Sequence, residues 1–495
     1  MKLILGGPGC GKTTRLLGIM EEELARGVRP ERLAFVSFTK KAVGEAAARA
    51  QLKFSLTTRE LPYFRTIHSL AYRLLGVTQG EIMQHAHWAE LGSALGYSFS
   101  RHADMNDGMA PTGRERGDLL RFIEQLSRAR CVTLERQICD SREEVTPQEL
   151  ARYTSTLASY KRDTGVMDFT DLLERYVNEG QSAPVDVAII DEAQDLSRLQ
   201  WKLIKRAFAG VPRFYVAGDD DQAIFTWSGA DVDTFLGLTG EREVLGVTHR
   251  LPRAIYEYSQ TIVSRLSHRF EKQAVPRPEV GALHRLSEWQ QAPVTAGGNW
   301  MLLARNSHLL GPVKEWLHGA GMPYATAFGP SVDAKHLRAI MTWEKLRKGE
   351  AMPASEVRDV YDLMDIERGH KTLPKVAAEE LLTLLDLLTF HGCSTNAPWF
   401  DALTKIPQRD RVYYQAIKRR GESLVRTPRI YVGTIHGVKG GEADNVALLP
   451  DMTQRTWEGY ERDRDAEHRT FYVGATRAKE RLWLVAPSTT RSYTL

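Results

Sequence analysis

Residues 3–14, with the sequence LILGGPGCGKTT, decide the fold of this chain. The run that ends at Leu5 is predicted to be a short apolar strand, and the run that follows, TTRLLGIMEEELARG, is predicted to be a helix. The spacing G-x-x-x-x-G-K-T between them is met by Gly6, Gly11, Lys12 and Thr13. Glycines let the backbone turn tightly and aim its N–H groups at an anion beside the positive end of the helix. A glycine-rich turn with a chance Lys-Thr pair is the alternative, but a strand and a helix flank the loop as triphosphate binding requires.

Individual residues of this loop can be given roles. Lys12 is expected to reach the β- and γ-phosphates, and the Thr13 hydroxyl is expected to bind Mg²⁺. The remaining residues of the nucleotide cradle are predicted to be Gly7, Pro8, Gly9, Cys10, Gly11 and Thr14. ATP or another nucleoside triphosphate, together with Mg²⁺, is therefore the expected cofactor.

The bulk composition is that of a globular protein with more than one core. The chain has 495 residues, 42% of them hydrophobic and 26% charged, and its net charge is +4. That charge permits a polyanionic partner without requiring one. The four cysteines form no C-x-x-C pair, so no zinc or iron–sulfur site is indicated. No signal peptide precedes the loop and no apolar run reaches membrane length, so a cytoplasmic protein without a membrane partner is expected.

Strand–helix alternation occurs in two parts of the chain, and each part is interrupted by a segment of helical composition. The first α/β unit is predicted at 1–78 and 163–242, with a helical insertion at 79–162. The second is predicted at 243–330 and 429–495, with a short helical insertion at 331–428. The expected fold class is therefore α/β with two interrupted units.

A second chemical signal lies in VAIIDEAQDL at residues 187–196. An apolar strand that ends in Asp-Glu places Asp191 at the carboxyl end of a parallel strand, where α/β sheets bind ligands. There Asp191 is expected to hold Mg²⁺, and Glu192 to orient or deprotonate an attacking water. An isolated Asp-Glu pair more often caps a helix. In a chain with a phosphate-binding loop, the pair predicts a nucleoside triphosphatase.

Further motifs resemble one family. DEAQD (191–195), GDDDQAIFTWSGAD (218–231) and YVGATRAKERL (472–482) resemble motifs II, III and VI of the UvrD/Rep/PcrA group of superfamily 1 helicases. SFTKKAV (37–43), TIHSLA (66–71), MDFTDLL (167–173), LLARNS (302–307) and TIHGVKGGE (434–442) resemble its other motifs, in family order. The resemblance implies two RecA-like P-loop domains, 1A and 2A, whose mainly helical insertions are subdomains 1B and 2B.

The resemblance also implies roles at the nucleotide. Gln222 would sense the γ-phosphate and link it to the DNA groove. Arg250 and Arg477, taken to belong to the second α/β unit, would reach the γ-phosphate as arginine fingers. His249 would lie beside the base, and Glu442 would meet the ribose. ATP would then bind between the two RecA-like units.

On the DNA side, the resemblance implies that Phe38, Phe225 and Trp227 stack on bases. The residues implied to line the strand are Thr39, Thr66, His68, Arg305 and His436. Aromatic faces grip bases of any sequence, which suits a protein that moves along a strand. Core packing is the alternative for the three aromatic residues, and a buried structural role is the alternative for the two histidines.

This sequence departs from the family at positions that would lie near the adenine of ATP. Only residues 1–5 precede the loop, so the glutamine motif that usually reads the base is missing. His249 stands where a tyrosine is usual, and Thr14 stands where an arginine is usual, with Arg15 displaced by one position. We therefore hypothesise weak adenine discrimination, with GTP or other triphosphates also hydrolysed.

The predicted function is a DNA-stimulated ATPase that moves on single-stranded DNA and unwinds duplex, with 3′→5′ direction implied by the family. Single strands and their junctions with duplex are the expected partners of a monomeric core, in DNA repair or replication. One rival is a translocase that remodels nucleoprotein with little unwinding, since the short 2B segment offers only RGHK (368–371) as a duplex contact. A P-loop kinase and a catalytically silent DNA-binding module are the others.

Overall fold

The computed structural model describes residues 1–100, 115–141, 145–366, 373 and 376–495. The chain divides into two compact units. The first contains residues 1–283 and 454–480, and the second contains residues 284–453 and 481–495. The RGHK segment at 368–371 lies outside the described residues. Within them, no helix is long and apolar enough to span a lipid bilayer.

The first unit is built on a parallel sheet. Its strands are β1 (Lys2–Leu5), β2 (Leu33–Ser37), β3 (Tyr63–Thr66), β4 (Val187–Asp191), β5 (Arg213–Gly218), β6 (Glu241–Val244), β7 (Val247–Pro252) and β8 (Val275–Arg277). The first six form one sheet in the order β3-β2-β4-β5-β1-β6, with every neighbouring pair parallel. Strands β7 and β8 form a separate parallel pair. The predicted α/β fold class is confirmed.

Helices cover both faces of this sheet. The helices of the first unit that precede residue 284 are α1 (Lys12–Ala25), α2 (Lys40–Phe54), α3 (Ile67–Leu75), α4 (His85–Leu95), α5 (Arg116–Arg130), α6 (Leu134–Asp140), α7 (Pro147–Thr164), α8 (Phe169–Glu179), α9 (Arg198–Ala207), α10 (Val232–Leu236) and α11 (Arg253–Val263). Alternate strand residues separate the two faces. Ile4, Phe35 and Ile189 pack under α1 and α2, whereas Ala188 and Ile190 pack under α3, α8 and α9. Burial on both faces explains why these strands are continuous apolar runs.

Helices α4 to α7 form the inserted helical segment, and its described residues contain no strand. Their core includes Trp88, Leu120 and Tyr153. A partly buried ionic network ties this segment to α8. Arg128 on α5 lies 2.5 Å from Asp171 and 2.7 Å from the Glu174 carboxylate, and Lys161 on α7 also reaches Asp171. The insertion is therefore anchored to the sheet side of the unit by charge as well as by apolar packing.

Residues 243–283 and 454–480 belong to the first unit, whereas the strand–helix alternation predicted them in the second. These residues include α18 (Gln454–Arg462) and α19 (Arg464–Ala475). The physical reason is direct contact with the phosphate-binding loop, because the Thr248 hydroxyl donates to the Pro8 carbonyl at 2.7 Å. Helix α19 packs on α11 and on the turn at Asp220–Gln222. The four-part division into subdomains stays a prediction.

The second unit holds another sheet, in the order β12-β11-β15-β10-β16-β17-β9. Its strands are β9 (Ala282–Leu286), β10 (Trp300–Ala304), β11 (Tyr324–Thr326), β12 (Gly329–Pro330), β15 (Ile430–Thr434), β16 (Ala443–Leu449) and β17 (Ala478–Val485), which leads in from the first unit. Strands β11, β15, β10 and β16 are parallel neighbours. Helix α12 (Gly311–Gly319) packs on this sheet.

The predicted second insertion is helical in its described residues, apart from two-residue strands. Its elements are α13 (Ala334–Arg347), β13 (Met352–Pro353), α14 (Ala354–Leu363), β14 (Leu381–Leu382), α15 (Leu384–Phe390), α16 (Trp399–Ala402) and α17 (Gln408–Arg419). They enclose a core around Trp343, whose indole N–H donates to the Ala397 carbonyl at 2.9 Å. This core is distinct from the one beneath the sheet of the second unit.

Candidate nucleotide-hydrolysis site

The phosphate-binding loop joins β1 to α1 and is shaped by two glycines in the left-handed region. Gly9 has φ 72° and Gly11, which caps α1, has φ 78°. A Cβ atom on Gly9 would lie 2.3 Å from the Arg250 Cβ, so this position lacks space for any side chain. The His249 N–H also donates to the Gly9 carbonyl at 2.9 Å. Strand β7 therefore holds the tip of the loop, and glycine is required there both by backbone angle and by clearance.

Lys12 lies where its ammonium group can exchange partners with a phosphate. It donates to the Gly6 carbonyl at 2.8 Å and to the Gly7 carbonyl at 3.3 Å. Both acceptors are neutral oxygens of the loop itself. A β- or γ-phosphate is charged and makes a stronger hydrogen bond with an ammonium group. The first turn of α1 thus presents its N–H groups and a cation to one small volume.

The acid pair lies at the end of β4, which is separated from β1 by β5 in the sheet. Asp191 is the last residue of β4, is 4% exposed and accepts the Glu192 N–H at 2.9 Å. Burial and the adjacent Glu192 carboxylate raise the pKa of Asp191 to about 7, against the opposing charge of Lys12. The Thr13 hydroxyl and the Asp191 carboxylate are oxygen donors of the kind that Mg²⁺ prefers. A divalent cation could replace the proton that burial favours, so these residues fit the implied metal.

Glu192 has an unusual backbone. Its φ of 53° is in the left-handed region, which non-glycine residues adopt uncommonly and mostly where surrounding structure imposes it. It links β4 to a short helical turn at Ala193–Asp195. Its carboxylate accepts a hydrogen bond from the Gln194 side-chain amide. The position of this candidate base is thus fixed both by the strand end and by a side-chain partner.

A series of hydrogen bonds runs from Glu192 to Arg477. The Gln194 side-chain oxygen Oε1 accepts the Asp219 N–H at 3.0 Å, and Asp219 Oδ2 accepts Gln222 Nε2 at 2.6 Å. Gln222 Oε1 then accepts Arg477 Nη2 at 2.9 Å. The structure thereby brings three predicted catalytic residues together. It does so through Gln194 and Asp219, which had no predicted role although both lie inside motifs at the ends of adjacent strands.

The two arginines expected to act on the γ-phosphate differ in exposure. Arg477 is 1% exposed, and its Nε also donates to the Val473 carbonyl at 2.9 Å. Arg250 is half-buried on β7. Both belong to the first unit, with the phosphate-binding loop, and not to the second as predicted. Buried Tyr472, a further residue without a predicted role, comes close to Gly7, and burial raises its pKa well above the ordinary value.

Three consecutive aspartates follow β5. Asp219, Asp220 and Asp221 are all buried and have carboxylate oxygens close enough to share one metal ion. Cationic side chains already hold them, because Lys272 reaches all three and Arg269 binds Asp221 through two hydrogen bonds of 2.9 Å and 2.6 Å. This cluster is therefore an internal ionic network. Lys272 lies outside every motif, and no sequence signal pointed to it.

The residues at the sequence departures lie on α1 and on β7. Arg15 pairs with Glu243 at 2.6 Å and with Glu22 at 2.8 Å, and these carboxylates raise its pKa. Thr14 and His249 are exposed. Arg15, the arginine displaced by one position, therefore forms ion pairs with two carboxylates.

The aromatic residues assigned to DNA lie in contact with each other. The Phe38 and Phe225 rings stack with centroids 5.8 Å apart, and the Trp227 ring meets Phe225 edge-on at 6.3 Å. Phe225 is only 7% exposed, so core packing, the alternative interpretation, describes its surroundings. Phe38 and Trp227 are half-exposed. Phe225 therefore packs against the two rings that are more exposed.

The two threonines assigned to DNA in the first unit cap helices. The Thr39 hydroxyl accepts the Ala42 N–H at 3.1 Å at the start of α2. The Thr66 hydroxyl accepts the Ser69 N–H at 3.4 Å at the start of α3. Both side chains therefore have a local structural role at the carboxyl ends of β2 and β3.

His68 lies beside the aromatic residues and is half-buried. Its ring packs edge-on against Phe169 at 5.9 Å. Burial and nearby Lys40 lower the pKa of His68 to about 4, so the imidazole is neutral at pH 7. His68 and Phe38 line a groove between the sheet side and α5. A hydrogen bond from His68 to a DNA strand would therefore be made by a neutral ring.

Three predicted residues belong to the second unit. Arg305 follows β10 and His436 follows β15, and these strands are parallel neighbours, so both residues lie at the same edge of the sheet. Glu442 precedes β16 and lies at the edge where the parallel strands begin. The second unit therefore brings Arg305 and His436 together and places Glu442 apart from them.

Comparison with known families agrees with these motifs. The family model described as "UvrD/REP helicase N-terminal domain" matches residues 1–242, and the one described as "UvrD-like helicase C-terminal domain" matches residues 429–485. The chain belongs to the UvrD/Rep helicase family. The first match contains the phosphate-binding loop, the acid pair and Gln222, and the second contains Arg477.

Relatives of this UvrD/Rep family member include three named proteins. "RecBCD enzyme subunit RecB" of Mycolicibacterium smegmatis is 33% identical over 116 residues, which is 21% of this chain and 11% of that protein. "ATP-dependent DNA helicase Rep" of Buchnera aphidicola is 23% identical over 302 residues, 57% of this chain and 43% of that protein. "ATP-dependent DNA helicase PcrA" of Staphylococcus aureus is 24% identical over 253 residues, 47% of this chain and 33% of that protein. The matched region thus spans less than half the length of each of these relatives.

Proposed function

We propose that this protein is an ATP-dependent DNA helicase that moves 3′→5′ on single-stranded DNA and couples triphosphate hydrolysis to duplex unwinding. It acts as a monomeric core on single strands and on their junctions with duplex. The observation that carries the proposal is the hydrogen-bonded series from Glu192 through Gln222 to Arg477, beside the phosphate-binding loop. The names of the Rep and PcrA relatives, both ATP-dependent DNA helicases, support the same activity.

In this proposal the loop and its neighbours handle the phosphates. Lys12 leaves the Gly6 and Gly7 carbonyls to bind the β- and γ-phosphates. Thr13 and Asp191 would hold Mg²⁺, which would supply positive charge beside the phosphate oxygens when bound. Glu192 orients the attacking water and accepts its proton. The guanidinium groups of Arg250 and Arg477 stabilise the transferring phosphoryl group.

The motif that contains Gln222 offers a route from the phosphates to DNA. Gln222 and Trp227 lie on one segment, and the residues between them include the buried run 223–225. Short helical turns at Asp220–Gln222 and Thr226–Ser228 lie at the two ends of this segment. A shift of the Gln222 amide when the γ-phosphate leaves is therefore transmitted to the accessible rings of Trp227 and Phe38. Stacking on these rings grips a strand of any sequence.

The deciding experiment measures hydrolysis and strand displacement together. We expect single-stranded DNA to stimulate ATP hydrolysis, and a duplex with a 3′ tail to be unwound in preference to one with a 5′ tail. ATP hydrolysis without displacement from either tail would favour the translocase that remodels nucleoprotein. Phosphorylation of a small molecule with no response to DNA would favour a kinase and contradict the proposal.

Trp227→Ala is expected to weaken the response to DNA. It should raise the DNA concentration for half-maximal stimulation of hydrolysis about tenfold, since one stacked base contributes about 1–3 kcal/mol. Trp227→Phe is the matched control, because it keeps an aromatic face and should preserve most of the response. Equal responses of the alanine and phenylalanine variants would show that Trp227 does not stack on a base.

Base selectivity is expected to be weak. Arg15 is held by Glu243 and Glu22, and position 249 carries an imidazole, which offers a base a smaller stacking surface than a tyrosine ring does. A site that makes few specific hydrogen bonds to a base rejects other bases poorly. We expect kcat/KM for GTP and CTP to lie within about tenfold of that for ATP. A preference for ATP above about a hundredfold would contradict this expectation.

A further inference from the structure

One lysine outside every motif lies among three carboxylates beside the candidate site. Lys272 is 8% exposed, and its ammonium group lies 3.2 Å from Asp219 Oδ1 and 3.2 Å from Asp221 Oδ2, with Asp220 as a third, closer partner. A buried ammonium group is stable only with such partners. Burial lowers the pKa of Lys272, but the three carboxylates outweigh it and raise the pKa above its ordinary value. The lysine is therefore a permanent cation at this point.

The carboxylate of Asp219 determines which way the Gln222 amide faces. Gln222 Nε2 donates to Asp219 Oδ2 at 2.6 Å, so Gln222 Oε1 is turned toward Arg477 Nη2, 2.9 Å away. The opposite orientation would direct the amide N–H groups at a guanidinium, which has only donors. An ionised Asp219 can only accept a hydrogen bond and so selects the productive orientation. A protonated Asp219 could donate to Gln222 Oε1 and select the other.

We propose that Lys272 is a positioning residue for triphosphate hydrolysis: it keeps Asp219 an ionised acceptor, which orients the Gln222 amide to receive Arg477. This inference rests on the hydrolytic activity proposed above and adds a residue to it. Lys272 is not assigned a contact with the phosphates. It acts on Arg477 through two intervening side chains.

The other charged and titratable groups around Asp219 do not replace Lys272. They are Asp220, Asp221, Arg269, Lys12, Cys10, Tyr472, Arg469 and Arg477. Arg469 Nε donates to the Asp220 carbonyl at 3.0 Å, and Arg477 is joined to Asp219 through Gln222. Arg269 is committed to Asp221 by two hydrogen bonds, and Lys12 must be available to a phosphate. Burial raises the pKa of Asp219, whereas Lys272 and then Lys12 lower it, and the net pKa lies below the ordinary value. Without Lys272, burial and the two neighbouring carboxylates would raise the pKa of Asp219.

The test is the pH profile of kcat for Lys272→Met, expressed as its ratio to wild type at each pH. We expect a loss of about a hundredfold at about pH 6.5, as for a catalytic group displaced by about 1 Å, with KM for ATP changed less than about threefold. The ratio should rise with pH because Asp219 ionises again and the Gln222 amide turns back. Lys272→Arg keeps the charge, so its ratio to wild type should not vary with pH even where kcat is reduced.

Two further variants distinguish a positioning role of Lys272 from a role in folding stability alone. Lys161→Met removes another largely buried lysine, held 2.6 Å from both Asp168 and Asp171, and should lower the melting temperature without a pH-dependent change in kcat. Asp219→Asn presents an amide oxygen that accepts at any pH. The double variant Lys272→Met/Asp219→Asn should therefore lose the pH dependence of Lys272→Met.

Two outcomes would overturn the inference. One is a Lys272→Met enzyme with wild-type kcat at every pH, and the other is a double variant that keeps the pH slope of Lys272→Met. An inactive wild-type protein would instead contradict the proposed function, so the two failures are distinguishable. Circular dichroism and nucleotide binding, measured on each variant at both ends of the pH range, show whether a low kcat comes from unfolding.

Discussion

Arg477→Lys is expected to lower kcat for ATP hydrolysis by about 10³-fold or more, with a much smaller change in KM. Arg477 uses its planar guanidinium in two directions, since Nε donates to the Val473 carbonyl and Nη2 donates to Gln222 Oε1. A lysine has a single ammonium group and cannot reproduce this fork. Charge on the transferring phosphoryl group would then lack its positioned partner, which is where an arginine finger has its effect.

The measurement is single-turnover hydrolysis at saturating ATP and DNA, with ATP binding followed separately. Arg411→Lys is a suitable control, because Arg411 also donates to a main-chain carbonyl, that of Phe400, but lies on α17 in the second unit. It should leave kcat within about twofold of wild type. A kcat for Arg477→Lys within about threefold of wild type would exclude Arg477 from the hydrolytic step.

The sheet of the first unit was predictable because its strands carry local signals. Residues 187–190, which precede Asp191, are all apolar because both faces of β4 are covered, and this signal is contained in the strand itself. The loop before Lys12 is likewise a local pattern. The apolar strand and the loop pattern each predict where Asp191 or Lys12 lies along the chain. They also predict at which edge of the sheet that residue lies.

The partners of these residues were not predictable, because they are joined over long sequence separations. The contact of Thr248 with Pro8 spans 240 positions and decides that residues 243–283 pack with the first unit. A strand–helix pattern is the same whichever sheet it packs on. Phe225 could not be assigned from sequence for the same reason. An aromatic residue in a motif can stack on a base or lie in the core, and only the residues packed around it in the fold distinguish the two. No local sequence pattern around Lys272 indicated that it would lie among the three aspartates.

Glu192→Gln is expected to lower kcat by about 10²- to 10⁴-fold, the range for loss of a general base, while ATP and DNA binding are retained. Glutamine has the same shape as glutamate, so the left-handed backbone at this position carries no new strain. Its side-chain oxygen can still accept the hydrogen bond from Gln194, so the series to Arg477 is preserved. What is removed is the ability to take a proton from water.

The Glu192→Gln variant distinguishes the role of Glu192 from that of Asp191. It removes one proton acceptor and keeps the surrounding hydrogen bonds. Glu174→Gln is the matched control, since it neutralises a carboxylate that pairs with Arg128 on α5, and it should change kcat by less than about twofold. If Glu192→Gln instead kept more than about a third of wild-type kcat, the water would have to be activated by another group. Asp191 could not be that group while it holds the metal, since its carboxylate would then be a ligand. The result therefore tests the assignment of separate roles to two adjacent carboxylates, one for the metal and one for the water.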